Sequence, residues 1–131
     1  MLRRLFLLAT LVVLAAATLY LAFVLKWSYS SGERAGWVQK FSRKGWICKT
    51  WEGELIMVSL PGSLPEKFPF TVRDEAVAAR VNQAIGQRVN LHYEEHLGVP
   101  GSCFGDTDYW VDGLTVIGEP TAPRPPAASP Q

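Results

Sequence analysis

Apolar and polar positions divide this chain into three stretches with different rhythms. Residues 5–25 are apolar nearly throughout and carry no charge, with Arg3 and Arg4 just before them. From about residue 35 to residue 117 the pattern mostly alternates with period two, broken once by a helical stripe. The final stretch, residues 119–131, holds Pro120, Pro123, Pro125, Pro126 and Pro130 and has almost no bulky apolar side chain. It reads as an extended, disordered tail that cannot bury a core.

The first stretch predicts a membrane helix. Its 21 residues, at about 1.5 Å rise each, give roughly 31 Å, the thickness of a bilayer's hydrocarbon core. A cleaved signal peptide is the competing reading, with Ala15, Ala16 and Ala17 as a cleavage site. The apolar run continues past them to Leu25, longer than the usual signal-peptide core, which favours an uncleaved anchor over residues 1–27. Lys26, Trp27 and Tyr29 fit an interfacial belt. Arg3 and Arg4 outweigh the charge on the far side, so the N-terminus is expected inside. That makes the protein a single-pass inner (cytoplasmic) membrane protein, with residues 28–118 facing the periplasm or the cell exterior.

Within that domain, residues 35–44 predict a first strand, with Trp37, Gln39 and Phe41 on one face and Val38 and Lys40 on the other. Gly45 marks a turn, residues 46–59 a second strand, and Pro61, Gly62 and Ser63 a break. Phe68, Phe70 and Val72 alternate as a third strand, in which Pro69 implies an edge or a bulge. Asp74 fits an N-cap, Gly86 the C′ position, and Val77, Ala78, Val81 and Ile85 the buried stripe of one helix. Residues 88–95 and 109–117 predict the last two strands, the latter bulged at Gly113. The order β-β-β-α-β-β is that of the OB-fold, a five-stranded Greek-key barrel. A mixed sheet with the helix on one face is the alternative.

Charge and cysteines narrow the partners. The chain has 13 Lys and Arg against 12 Asp and Glu, and the domain alone carries a net charge of about −2. Nucleic-acid binding normally needs a basic surface, so no nucleic-acid partner is expected. Cys48 and Cys103 fall near the two loops that flank the binding face of an OB-like barrel, where they can meet. Outside the cytoplasm such a pair is expected to form a disulfide, worth about 4 kcal/mol in the chain-entropy model; free buried thiols are the alternative.

Catalytic motifs are weak. His92, Glu95 and His96 spell the H-x-x-E-H pattern of inverted zinc proteases, but on a strand positions i and i+4 lie about 13 Å apart. No metal is expected there. Glu52 and Glu54, flanking Gly53, read as two exposed carboxylates on the barrel exterior rather than a glycosidase pair. Cys103 as a nucleophile with His92 or His96 conflicts with the expected disulfide. The glycine-rich residues 98–105 lack the G-x-G-x-x-G spacing, so no nucleotide cofactor is expected. The candidate binding surface consists of Trp46, Phe104 and Trp110 with the basic side chains Lys40, Arg43, Lys44 and Lys49. An ordinary solvated hairpin, or contact with anionic lipid headgroups, is the alternative use of that basic cluster.

Several segments carry a resemblance. They include Gly32 to Gly36, Gln39 to Ser42, Lys49 to Leu55, Lys67 with Phe68, Val72 to Asp74, Leu91 to Glu94, and Ser102 to Asp106. Together they resemble a family of short single-pass bacterial membrane proteins of uncharacterised function, often automatically named 6-phosphogluconate dehydrogenase. The chain lacks that enzyme's nucleotide fingerprint, βαβ units and length, and the name carries no catalytic residue over to it. The expectation is a non-catalytic, membrane-anchored module binding a protein or another envelope component. A small envelope enzyme and a structural accessory subunit are the alternatives.

Overall fold

The computed structural model describes residues 1–57, 62 and 64–117. The Pro-rich stretch 119–131 lies outside them, as do residues 58–59 of the expected second strand, and Pro61 and Ser63 of the break. Gly62 sits in a turn with φ +84°.

The apolar run forms helix α1, Leu2–Lys26, 25 residues long. Its Leu and Ala content favours helix, and neither Gly nor Pro interrupts it. The Thr10 and Thr18 hydroxyls donate to the carbonyls of Phe6 and Leu14, so both polar groups are satisfied within the helix. Its most apolar 18-residue stretch has a mean hydropathy of 2.5, and its side chains are exposed nearly throughout, only Val24 being buried. Such a helix is long and apolar enough to cross a membrane, as an anchor or a signal sequence.

Among the described residues five strands follow: β1 (Ser30–Lys44), β2 (Thr50–Met57), β3 (Glu66–Val72), β4 (Arg88–Glu95) and β5 (Tyr109–Val116), with helix α2 (Glu75–Gln83) between β3 and β4. They close a barrel in the order β1-β2-β3-β5-β4. Closure depends on β1, which is longer than its hydrophobic alternation suggests. Its first half, from Ser30 to Trp37, pairs antiparallel with β4, and its second half, from Trp37 to Lys44, with β2. Residues 30–34 were not expected to be strand, because Ser, Gly, Glu and Arg give no apolar alternation there. They are held by the β4 ladder.

A bulge between Val38 and Lys40 shifts the faces of β1. Val38 is fully buried and Phe41 packs on the same core, so the expected grouping of Phe41 with Trp37 against Val38 is corrected. The second strand also starts later than expected, at Thr50 rather than Trp46, because residues 45–49 form a loop. On β3, Pro69 pairs with Glu54 of β2. Only Thr71 and Val72 pair with β5, in parallel, so Pro69 lies where β3 has a single partner. Gly113 marks the expected bulge of β5, where the register against β4 shifts past His92.

Helix α2 starts where the sequence places it. The Asp74 carboxylate accepts from the Ala76 and Val77 N–H groups at 2.7 and 3.2 Å. Its end is earlier: Ala84 is the C-cap, and Gly86 (φ +82°) lies one residue beyond C′. Accordingly Ala84 rather than Ile85 completes the buried stripe with Val77, Ala78 and Val81, and Ile85 is 43% exposed. The Gly86 N–H donates to the Val38 carbonyl at 2.8 Å, joining the helix exit to the β1 bulge.

The core consists of Val38, Leu55, Phe68, Phe70, Val72, Val89, Leu91, Val111 and Leu114 with the α2 stripe. Rings fill the remaining volume. Phe68 lies 5.3 Å from Tyr93 and 4.9 Å from Tyr109, while Phe41 stacks on Trp51 at 5.1 Å. Gly53 is required beneath them, because any Cβ there would collide with the Phe70 ring.

Candidate functional site

Two loops meet at one rim of the barrel: residues 45–49 between β1 and β2, and residues 96–108 between β4 and β5. Cys48 and Cys103 join them by a disulfide, with Cα atoms 4.8 Å apart. Gly45, at φ +140°, makes the tight turn that leaves the first loop as a short finger. At its tip Trp46 is 102% and Ile47 96% exposed. Two apolar side chains so fully in solvent on a covalently held loop contribute nothing to the core. Their placement suits contact with another molecule.

A second fastening lies beneath the disulfide. Glu52 points out of the barrel, as the alternation of β2 requires, yet it is only 7% exposed because the β4–β5 loop folds over it. This corrects the expectation of two exposed carboxylates on β2. Its Oε2 accepts from the Thr71 hydroxyl at 2.7 Å. Its Oε1 accepts from the Thr50 hydroxyl at 2.6 Å and the Asp106 N–H at 3.0 Å. Thr71 is fully buried and its hydroxyl also meets Thr107, while Gly105 lies so close that a Cβ there would be 2.5 Å from the Thr71 Cγ2. Lys44 closes the same loop through an ion pair with Asp106 at 3.2 Å.

Replacing Glu52 by Ala leaves the Asp106 N–H without its acceptor and the buried Thr71 hydroxyl with Thr107 as its remaining partner. We expect a loss of about 2–3 kcal/mol, with faster amide exchange over residues 102–108 in a deuterium-uptake experiment. An unchanged melting temperature and exchange pattern would remove Glu52 from this role.

The predicted surface residues divide. Trp46, Lys40, Arg43, Lys44 and Lys49 are exposed at or near the finger. The Arg43 guanidinium lies 5.8 Å over the Trp51 ring, and Phe104 is half-buried beside Arg73. Trp110, expected at the surface, is buried at 8% exposure. Its ring stacks on His96 at 4.1 Å, its Nε1–H donates to the Thr107 carbonyl, and the Arg73 guanidinium covers it at 4.5 Å. Ile47 was missed because residues 46–59 read as strand. The shortness of the stretch between Gly45 and Cys48 was the available signal.

The other end of the β4–β5 loop touches the membrane-type helix. His96, 3% exposed, faces the Val24 carbonyl through Nδ1 at 3.2 Å and the Glu94 carboxylate through Nε2 at 3.3 Å. The Tyr20 hydroxyl donates to the Gly98 carbonyl at 2.8 Å. The residues of the H-x-x-E-H pattern therefore take separate partners: Glu95 meets the Ser30 hydroxyl and His92 meets Asp112. Among the described residues no group of three His, Cys, Asp or Glu side chains is arranged to hold a metal.

His92 carries a shifted titration. The hydrogen bond that the His92 ring donates to the Asp112 carboxylate raises its pKa above the ordinary value of 6.5, slight burial opposes this, and the charges of Asp112, Glu33 and Glu94 add to the rise. A raised folded-state pKa stabilises the fold fully below the unfolded value, and the contribution disappears as pH rises through the folded pKa. The pair is half-exposed, so its worth is below about 1 kcal/mol. Asp112→Asn should lower the His92 pKa in an NMR titration and cost stability at about pH 5.5 but not at about pH 8.5. An unmoved titration would rule this pairing out.

Comparison with known proteins agrees with the barrel. The crystal structure of the mitochondrial single-stranded DNA-binding protein Rim1 from S. cerevisiae superposes with a TM-score of 0.53 at 9% sequence identity. The match covers 70% of this chain and 96% of that one, a likeness of OB-type fold alone. No curated protein is similar in sequence at a significant level. A family model, however, matches residues 27–112, from the end of α1 into β5. That span is well over half the chain and includes both rim loops, so this protein belongs to the family described as a domain of unknown function, DUF8785.

Proposed function

We propose that this protein is a non-catalytic binding module, anchored by α1 in the inner (cytoplasmic) membrane of a bacterium, with its barrel outside the cytoplasm. Its loop rim engages a protein or another component of the cell envelope. The observation that carries this reading is the Trp46–Ile47 tip, fully exposed yet fixed by the Cys48–Cys103 bond. A rigid apolar tip with basic neighbours loses little entropy on binding.

An anchor, rather than a cleaved leader, is supported by the contacts between the barrel and α1. The buried His96 ring uses the Val24 carbonyl, and Val24 itself is 6% exposed. The disulfide supports an oxidising compartment. A non-catalytic role is supported by the rim's carboxylates, since Glu52 and Asp106 are engaged by Thr71, Thr50 and Lys44. The dehydrogenase name that accompanies the resembled family has no support in this barrel, which lacks the βαβ units of a dinucleotide-binding fold.

Nucleic-acid binding, suggested by the DNA-binding structural neighbour, is disfavoured by the domain's net charge of about −2. An envelope enzyme and an accessory subunit remain the alternative readings.

The test is a photocrosslinking residue placed at Trp46 or Ile47 in the full chain in native membranes, with Gln83 on α2 as control. Discrete adducts from the rim and none from Gln83 are expected, with mass spectrometry distinguishing protein from other components. Equal yields at the rim and at Gln83 would sink the proposal.

A further inference from the structure

We infer that residues 97–100 form a second membrane contact, seated in the lipid interface beside the end of α1, which sets how the barrel stands on the bilayer. The inference rests on the anchor reading of α1 and adds a lipid-facing site that the binding rim does not include.

Depth is the first argument. The Gly98 carbonyl is held by the Tyr20 hydroxyl at 2.8 Å, and Gly98 takes φ +75°, which turns the loop against the helix. Tyr20 precedes Lys26, the first charge after the apolar run, by six residues. At about 1.5 Å per residue this sets the contact roughly 9 Å deeper than Lys26 along the helix axis. Each interfacial zone of a bilayer is only about 5–8 Å thick. With the Lys26 ammonium among the headgroups, Gly98 lies near the hydrocarbon boundary.

Composition is the second. Leu97, Gly98, Val99 and Pro100 bring no charge and no side-chain hydrogen-bonding group. Leu97 is 40% exposed and Pro100 is exposed. Pro100 has no N–H, and the Gly98 carbonyl is already bonded, which lessens the number of backbone groups left unpaired in lipid. In water these apolar side chains cover no core.

Continuity and rigidity complete the case. Phe23, Trp27 and Tyr29, each more than half exposed, flank the junction as an aromatic belt, with Phe23 stacked on Trp27 at 5.4 Å. His96, immediately before the loop, is locked between Trp110 and the Val24 carbonyl. The loop is thus held where the helix leaves the membrane. Cys103 follows Gly98 by only five residues, a reach of about 17 Å at full extension. The disulfide therefore keeps the Trp46 finger close to the bilayer as well, so the rim's partner is met in the membrane-proximal zone.

Site-directed spin labelling of the full chain in phosphatidylcholine–phosphatidylglycerol liposomes tests this. Single added cysteines at Leu14, Leu97, Pro100 and Gln83 are labelled with the native disulfide intact. Collision with dissolved oxygen is then compared with collision with a water-soluble nickel chelate. Oxygen-dominated relaxation is expected at Leu14 and at Leu97 or Pro100, and chelate-dominated relaxation at Gln83. Chelate-dominated relaxation at both loop sites, with Leu14 in lipid, would overturn the inference and leave the anchor standing. Shielding of both loop sites from both agents would overturn it too, by placing the loop within protein. A water-exposed Leu14 would bring down the anchor reading and the inference with it.

Discussion

Removing the Cys48–Cys103 bond, by reduction or by the double replacement Cys48→Ala with Cys103→Ala, is expected to destabilise the barrel by about 3–4 kcal/mol. The bond closes a loop with a sequence separation of 55, and opening it returns that loop's conformational freedom to the unfolded chain. For a domain of this size the melting temperature should fall by on the order of 20 °C. The Glu52 network and the Lys44–Asp106 pair remain when the bond is cut, so the barrel should still form at low temperature. The rim should loosen first, seen as faster amide exchange in residues 45–49 and 102–106 while α2 is unchanged. Melting temperatures that agree between oxidised, reduced and doubly substituted protein would show that the polar fastening alone holds the loops.

Phe70→Ala carries an effect of similar size. Phe70 is fully buried on β3, with Phe68 and Phe41 at ring-centroid distances of 6.5 and 6.3 Å. Its ring also fills the space left by Gly53 on β2. Truncation leaves a cavity under the β1–β2 sheet that rigid strands cannot collapse, at a cost of about 3–5 kcal/mol. The β1 bulge, which presents Phe41 to this ring, should lose protection alongside β3. Chemical denaturation of the solubilised full chain measures the loss. A cost under about 1 kcal/mol would mean that the neighbouring rings close over the void.

Much of the fold was legible because it is written in local patterns. Alternation of Phe68, Phe70 and Val72 and of Val89, Leu91 and Tyr93 marks strands whose one face is buried. Asp74 marks the start of α2 because its carboxylate acts within its own turn. The strand order with one intervening helix was enough to suggest the OB-like barrel, which the pairing of β1 with both β2 and β4 closes. The site was less legible. Lys44 and Trp46 are exposed as expected, but Ile47 is hidden inside an apparent strand, and Trp110, expected at the surface, is buried. Its burial comes from His96 and Arg73, partners that lie 14 and 37 residues away.

By itself, the sequence determined the membrane-type helix and the type and order of the elements, because each depends on neighbours within a few turns or a single strand. Only the tertiary structure decided where β1 bends, that Glu52 is covered, that His96 and Gly98 hold the end of α1, and that the Trp46–Ile47 tip is free. Burial and hydrogen bonding at those positions are set by groups from distant strands and loops, which no local periodicity records.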